Sequence, residues 1–109
     1  MACLKKDRAL LEALIHATPK ERRALLKVYD TSRIRSVCEC AYNVLRGNVP
    51  LSEKRKKELS KHKNVLRRIV KRGEGWGKKR KYLVQQGGGF VIPLLLSTVL
   101  QAVLNKVTE

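Results

Sequence analysis

Acidic residues are scarce in this chain. Nine Asp or Glu stand against twenty-five Lys or Arg in 109 residues, a formal net charge of +16. The acids are scattered, and most have a basic neighbour at helical spacing, as Glu53 has Lys57. That is the pattern of solvated helix surfaces rather than of paired carboxylates. Histidine is limited to His16 and His62, and cysteine to Cys3, Cys38 and Cys40. A lone C-x-C with no second pair lacks the ligand spacings of zinc sites. Three thiols cannot all pair, and a reducing compartment leaves them free, with Cys38 packing as a small apolar side chain. No nucleophile with a base, no carboxylate pair and no metal cluster can be assembled from this inventory. The chain is therefore expected to be non-enzymatic, with no cofactor and no metal.

Other absences narrow the reading further. The opening MACLKKDRALLEALIHA has neither the apolar core nor the small-residue cleavage site of a signal peptide, so the chain reads as intracellular and not secreted. Strand-like alternation and internal repeats are missing. Gly87-Gly88-Gly89 lacks the Lys-Ser/Thr of a phosphate-binding loop and follows no predicted strand. The one long uncharged run, Phe90 to Leu104, falls short of the roughly twenty residues that span a bilayer.

What is present is helical. Leu10, Leu11, Leu14 and Ile15 recur at a helical period in the first segment. Thr18-Pro19-Lys20-Glu21 spells a capping box with proline at the first helical position. The helix that follows runs to about Val28 and buries Leu25, Leu26 and Tyr29. Asp30-Thr31-Ser32 offers caps for a third helix, which carries Ile34, Val37, Cys38, Ala41, Val44 and Leu45 on one side and ends at Gly47. Leu11, Leu14, Leu25, Ile34, Val37, Cys38, Ala41 and Leu45 form the expected core. Ser52 caps a fourth helix with sparse apolar residues. Gly73, Gly75 and Gly77 then make a joint around Trp76. The expected fold is all-α, a small bundle of three or four helices. Its division is 1–72 as bundle with a basic fourth helix, 73–89 as a Gly-rich basic linker, and 90–109 as an apolar C-terminal helix.

The charge is uneven. Residues Ser52 to Lys81 hold fourteen Lys or Arg against three Glu, a net +11, whereas Tyr82 to Glu109 nets zero. Such an excess argues about partners rather than about fold. Lys54, Arg55, Lys56, Lys57, Lys61, Lys63, Arg67, Arg68, Lys71, Arg72, Lys78, Lys79, Arg80 and Lys81 are the candidate DNA-binding residues. Cations spread along helices neutralise phosphates and release counterions, which gives salt-sensitive binding to double-stranded DNA. Few side chains suited to base edges interrupt them, so sequence preference is not expected. KRKK at 54–57 and KKRK at 78–81 also match nuclear import signals.

The apolar run has two readings. Phe90, Val91, Ile92, Leu94, Leu95, Leu96, Val99, Leu100, Val103 and Leu104 are candidate contacts for an anionic membrane or a partner protein, because Ser97, Gln101 and Asn105 leave only a narrow polar stripe. Alternatively the run folds back as the missing wall of the bundle. The Gly-rich joints on both sides of the basic run favour the separable arm. Pro93 belongs in that helix's first turn.

Residues Lys78 to Leu104 (KKRKYLVQQGGGFVIPLLLSTVLQAVL) resemble the precursor of adenovirus core protein X, or mu: a basic segment, a Gly-Gly, a bulky apolar residue and a Pro-containing aliphatic helix. Most of the chain is similar to small basic proteins of Maverick/Polinton elements and adintoviruses, through Cys38 to Leu51 and Gln85 to Phe90. The resemblance implies a virion core protein that condenses double-stranded DNA in the virion and host nucleus. It also implies processing by a viral cysteine protease. Gly87 and Gly88 would match the Gly-Gly before the cut, with Gly89 following; Gln85 stands where that pattern has an aliphatic residue. A capsid protein is the implied partner of the apolar remnant, and release of a membrane-active helix from adenovirus protein VI suggests lipid as its other target. Rival readings are a membrane-active or capsid-docking protein and a helix-turn-helix regulator built on the third and fourth helices.

Overall fold

A computed structural model describes residues 2–87 and 89–108, with side chains from Asp7 to Ala102 apart from Gly88. Among the described residues there are seven helices and no strand: α1 (Ala2–His16), α2 (Pro19–Val28), α3 (Thr31–Leu45), α4 (Glu53–Ser60), α5 (Lys63–Ile69), α6 (Trp76–Gln86) and α7 (Val91–Thr108).

Local chemistry sets most of the boundaries. Thr18 and Glu21 form the reciprocal capping box of α2: the Glu21 amide donates to Thr18 Oγ1 at 3.2 Å, and the Thr18 amide donates to Glu21 Oε1 at 2.9 Å. These bonds hold the Glu21 carboxyl below its ordinary value. Asp30 caps α3 by accepting from the Arg33 amide at 2.9 Å, and Ser52 caps α4 by accepting from the Arg55 amide at 3.2 Å. α3 closes in a Schellman arrangement, with the Gly47 amide on the Val44 carbonyl and the Asn48 amide on the Asn43 carbonyl. That turn needs a left-handed residue, and Gly47 has φ of 75°.

The basic fourth helix expected from Ser52 onward is two helices. α4 ends at Ser60 and α5 begins at Lys63, with His62 at φ −112° and ψ 20° between them. From Ser60 to Asn64 the chain offers no apolar residue to bury, so nothing holds a continuous helix against the core. Breaking it lets Leu59 on α4 and Leu66 and Ile69 on α5 all reach the interior.

α3 is the central strut and packs against α1, α5, α6 and α7. α7 lies on α1, α3 and α4, while α6 lies on α2, α3 and α5. The core comprises Leu11 and Leu14 of α1, Leu26 of α2, Ile34, Val37, Cys38, Cys40, Ala41 and Val44 of α3, and Leu83 of α6, together with most of the apolar face of α7. Leu25 and Leu45 pack at its edge rather than inside it.

The structure differs from the composition-based division at 73 and 90. Most of the expected linker is α6, whose Leu83 is buried. The apolar tail is the wall of the bundle: Ile92, Leu95, Leu96 and Val99 have no exposure, and Val91 and Leu100 have 6% each. Removing such side chains from water stabilises by about 1.5–3 kcal/mol each, more than a solvated arm can recover. Pro93 sits third in α7, where its missing amide breaks no helical bond, and the Leu94 amide closes the first turn on the Phe90 carbonyl at 2.9 Å.

Candidate nucleic-acid interface

Folding divides the fourteen candidate cations into two groups with different environments. On α4, Lys54, Lys57 and Lys61 are spaced i, i+3 and i+7 and form one exposed stripe facing away from Leu59. Lys56 and Lys63 stand at the rim of a groove lined by Val44, Val49, Pro50, Leu51, Leu59 and Leu66. Arg67 and Arg72 are exposed on and just after α5. None of these seven is in an ion pair among the described residues. Their charge is left to solvent and to whatever approaches.

The remaining cations serve the fold in whole or in part. Arg55 lies 3.7 Å from Glu58 on its own helix. Arg68 pairs with Glu74 and stacks over the Tyr82 ring at 5.0 Å, and Lys71 is 3.7 Å from the same carboxylate. The hydrogen bond from Arg68, reinforced by the charges of Arg68, Lys71 and Lys78, holds Glu74 below the ordinary carboxylate range. Lys79 donates to the Ile69 carbonyl at 2.9 Å and lies 5.4 Å from the Trp76 ring, joining α6 to the end of α5. Arg80 donates to the Lys27 carbonyl at 3.0 Å and to the Tyr29 carbonyl, tying α6 to the end of α2. Lys78 and Lys81 remain exposed beside them. A single footprint from 54 to 81 therefore becomes a solvent-facing set on α4 and α5 and a partly internal set on α6.

Arg22 carries no signature in the sequence, yet it is the most consequential cation of the interior. It is 5% exposed and meets no acid among the described residues. Its Nε donates to the Leu14 carbonyl at 2.8 Å, and its two terminal nitrogens donate to the carbonyls of Ala17 at 2.7 Å and Gly87 at 2.8 Å. The C-terminal ends of α1 and α6 thus converge on one guanidinium. Their partial negative charge compensates a cation whose pKa burial has lowered.

The same bonds decide the glycine segment. Gly87 is buried, and a Cβ there would stand 3.0 Å from Leu26 Cδ1 and 3.3 Å from the Leu83 carbonyl oxygen. A side chain there would require Leu26 to give way by a few tenths of an ångström. Gly89 is exposed, and its carbonyl lies 3.4 Å from the Arg22 side chain; Gly88 lies outside the described residues. A protease draws its substrate out as an extended strand, and here that requires pulling Gly87 off Arg22 and out of the core. In this fold Gly87 is packed at the end of α6, while Gly89 is exposed.

The tail's candidate contacts are mostly unavailable for the same reason. Ile92, Leu95, Leu96 and Val99, with Val91 and Leu100, are consumed by the core, whereas Phe90 is 63% exposed and Leu94 half-buried. Phe90 meets His62 edge to face, with ring centroids 4.8 Å apart. The Val103 and Leu104 side chains lie outside the described residues. Among the described residues no single helix is long and apolar enough to cross a membrane; α6 and α7 pass that test only together, and they meet at 99°.

Two further features bear on the rival readings. Seven residues, 46–52, separate α3 from α4, where a helix-turn-helix uses a turn of three or four. Cys38 and Cys40 are buried, and burial pushes the Cys38 thiol up to about 11. Burial of this kind favours the protonated thiol. No three of His, Cys, Asp and Glu among the described residues converge to hold a metal ion. No family model, curated protein or solved structure matches the chain, which leaves the chemistry of its surface as the guide to function.

Proposed function

We propose that this protein binds double-stranded DNA through its phosphates, without sequence preference, using the exposed face of α4 and α5. The observation that carries the reading is the set of seven cations, Lys54, Lys56, Lys57, Lys61, Lys63, Arg67 and Arg72, exposed and in no ion pair among the described residues. Two of the three acids of this region are occupied, Glu58 by Arg55 and Glu74 by Arg68 and Lys71, which leaves Glu53 as the one exposed carboxylate among these cations. Seven cations against the single carboxylate of Glu53 leave the face strongly positive. Lysines dominate it, and lysine is a point charge suited to phosphate rather than to a base edge. No reaction belongs to this proposal. The setting in a virion core, with nuclear delivery, rests on the sequence resemblance alone and is part of the proposal.

The test is a titration of unrelated duplexes at increasing salt, with anionic vesicles alongside. Six to ten phosphate contacts predict a loss of roughly a thousandfold or more in affinity between about 50 and 200 mM salt. Lys54→Gln, Lys57→Gln and Lys61→Gln together should weaken every duplex alike and flatten the salt slope by about three. A preferred site emerging from selection, a shallow salt slope, or vesicles bound in preference to duplex would each refute the reading.

A further inference from the structure

The cations of α2 belong to no site described so far, and folding sets them beside those of α6. Lys20, Arg23 and Lys27 are exposed and spaced i, i+3 and i+7, so they form one stripe along α2. They lie outside the basic run of the sequence. Packing of α2 on α6 adds to them: Lys27, Lys78 and Lys81 border one depression floored by Gly77 and Val84.

Two details make this a surface for an anion. The carbonyls at the end of α2 would repel a phosphate, but Arg80 donates to those of Lys27 and Tyr29 and covers that negative end. The nearby acids are also engaged elsewhere: Glu21 is locked in the capping box, and Asp30 caps α3 with Arg33 3.9 Å away. Both carboxylates are turned to their own helix caps, and the stripe with Lys78 and Lys81 stays net positive.

α2 packs on α6 and α4 packs on α7, so the two clusters stand on different walls of the bundle. The molecule extends 25 Å along its shortest axis, room enough for two faces farther apart than the Debye length of about 10 Å at 0.1 M salt. Faces separated by more than that length engage phosphates independently. We infer that the α2–α6 wall is a second duplex-binding surface, so that one molecule bridges two DNA segments. The inference rests on the reading of the α4–α5 face as the first surface.

The experiment uses the full chain, a short biotinylated duplex on beads and a fluorescent duplex in solution. Wild-type protein should bind the immobilised duplex and capture the second one. The variant Lys20→Gln, Arg23→Gln, Lys27→Gln should still bind the beads within about threefold but lose roughly tenfold or more of the captured fluorescence. The α4 variant, Lys54→Gln with Lys57→Gln and Lys61→Gln, should bind the beads more weakly than the α2 variant does, with the second wall left to hold the duplex. Undiminished capture by the α2 variant overturns the inference while leaving the first surface intact. Equal loss of bead binding in both variants overturns it too, because the two walls would then form one continuous site. A wild-type chain that binds no duplex sinks the primary reading and this one with it.

Discussion

Arg22 is the side chain on which the C-terminal ends of α1 and α6 depend. Replacing it with leucine leaves the carbonyls of Leu14, Ala17 and Gly87 buried without donors, at about 1–3 kcal/mol for each that water cannot reach. The expected loss is about 2–4 kcal/mol in a chemical denaturation curve, with lysine recovering only part because one ammonium cannot serve all three directions. An unchanged midpoint would show that these bonds contribute nothing net. Nothing in the sequence distinguishes Arg22 from Arg23, its exposed neighbour; only the rotation of α2 against α1 and α6 assigns one to the core and the other to solvent. The caps behave differently. Thr18, Asp30 and Ser52 act on amides three residues away, so their roles are readable without any tertiary contact.

At the scale of elements, α7 carries the greatest weight. Leu95 has no exposure, and Leu95→Ala should cost about 2–5 kcal/mol through lost burial and the cavity left behind. Removing residues 90–109 exposes Leu11, Leu14, Ile34 and their neighbours together, and the remaining helices should lose cooperative unfolding by circular dichroism. A truncated chain that melts as sharply as the full one would restore the separable arm. Composition could not choose between arm and wall, because an uncharged run of fifteen residues suits both. The polar stripe did hold the answer: Gln101 is exposed and Ser97 half-buried on the outer side of α7, opposite Leu95 and Val99. α6 was hidden by its glycines. Gly73 has φ of 85° and turns the chain, but Gly75 and Gly77 only open the first turn of a helix that packs through Leu83.

For the whole molecule, a net charge of +16 on a radius of gyration of 12.9 Å opposes compaction. Salt screens this self-repulsion, so the thermal midpoint should rise as sodium chloride increases from about 0.02 to 0.2 M, by a few degrees. Duplex DNA should raise it further at low salt, and that increment should shrink as salt weakens binding. A midpoint that falls with salt would mean that internal ion pairs outweigh the repulsion. The few pairs among the described residues, Arg8–Glu12, Arg33–Asp30, Arg55–Glu58 and the Glu74 cluster, favour the rise.

The sequence by itself determined the helical class, the starts of α2, α3 and α4, the end of α3, most of the core positions and the total charge. Each of these depends on residues within a few positions of one another, or on sums over the chain. Only the tertiary structure decided that the basic run breaks at His62, that α6 and α7 complete the bundle, that Gly87 is a packing glycine, and which cations remain free. Those outcomes depend on which helix faces meet, and a helix surface offers the same lysine to solvent, to a carbonyl or to an aromatic ring until its neighbour is in place. Lys57 and Lys79 are the same residue type in similar runs. The first reaches water, and the second is held at 2.9 Å by the Ile69 carbonyl because α6 lies against α5.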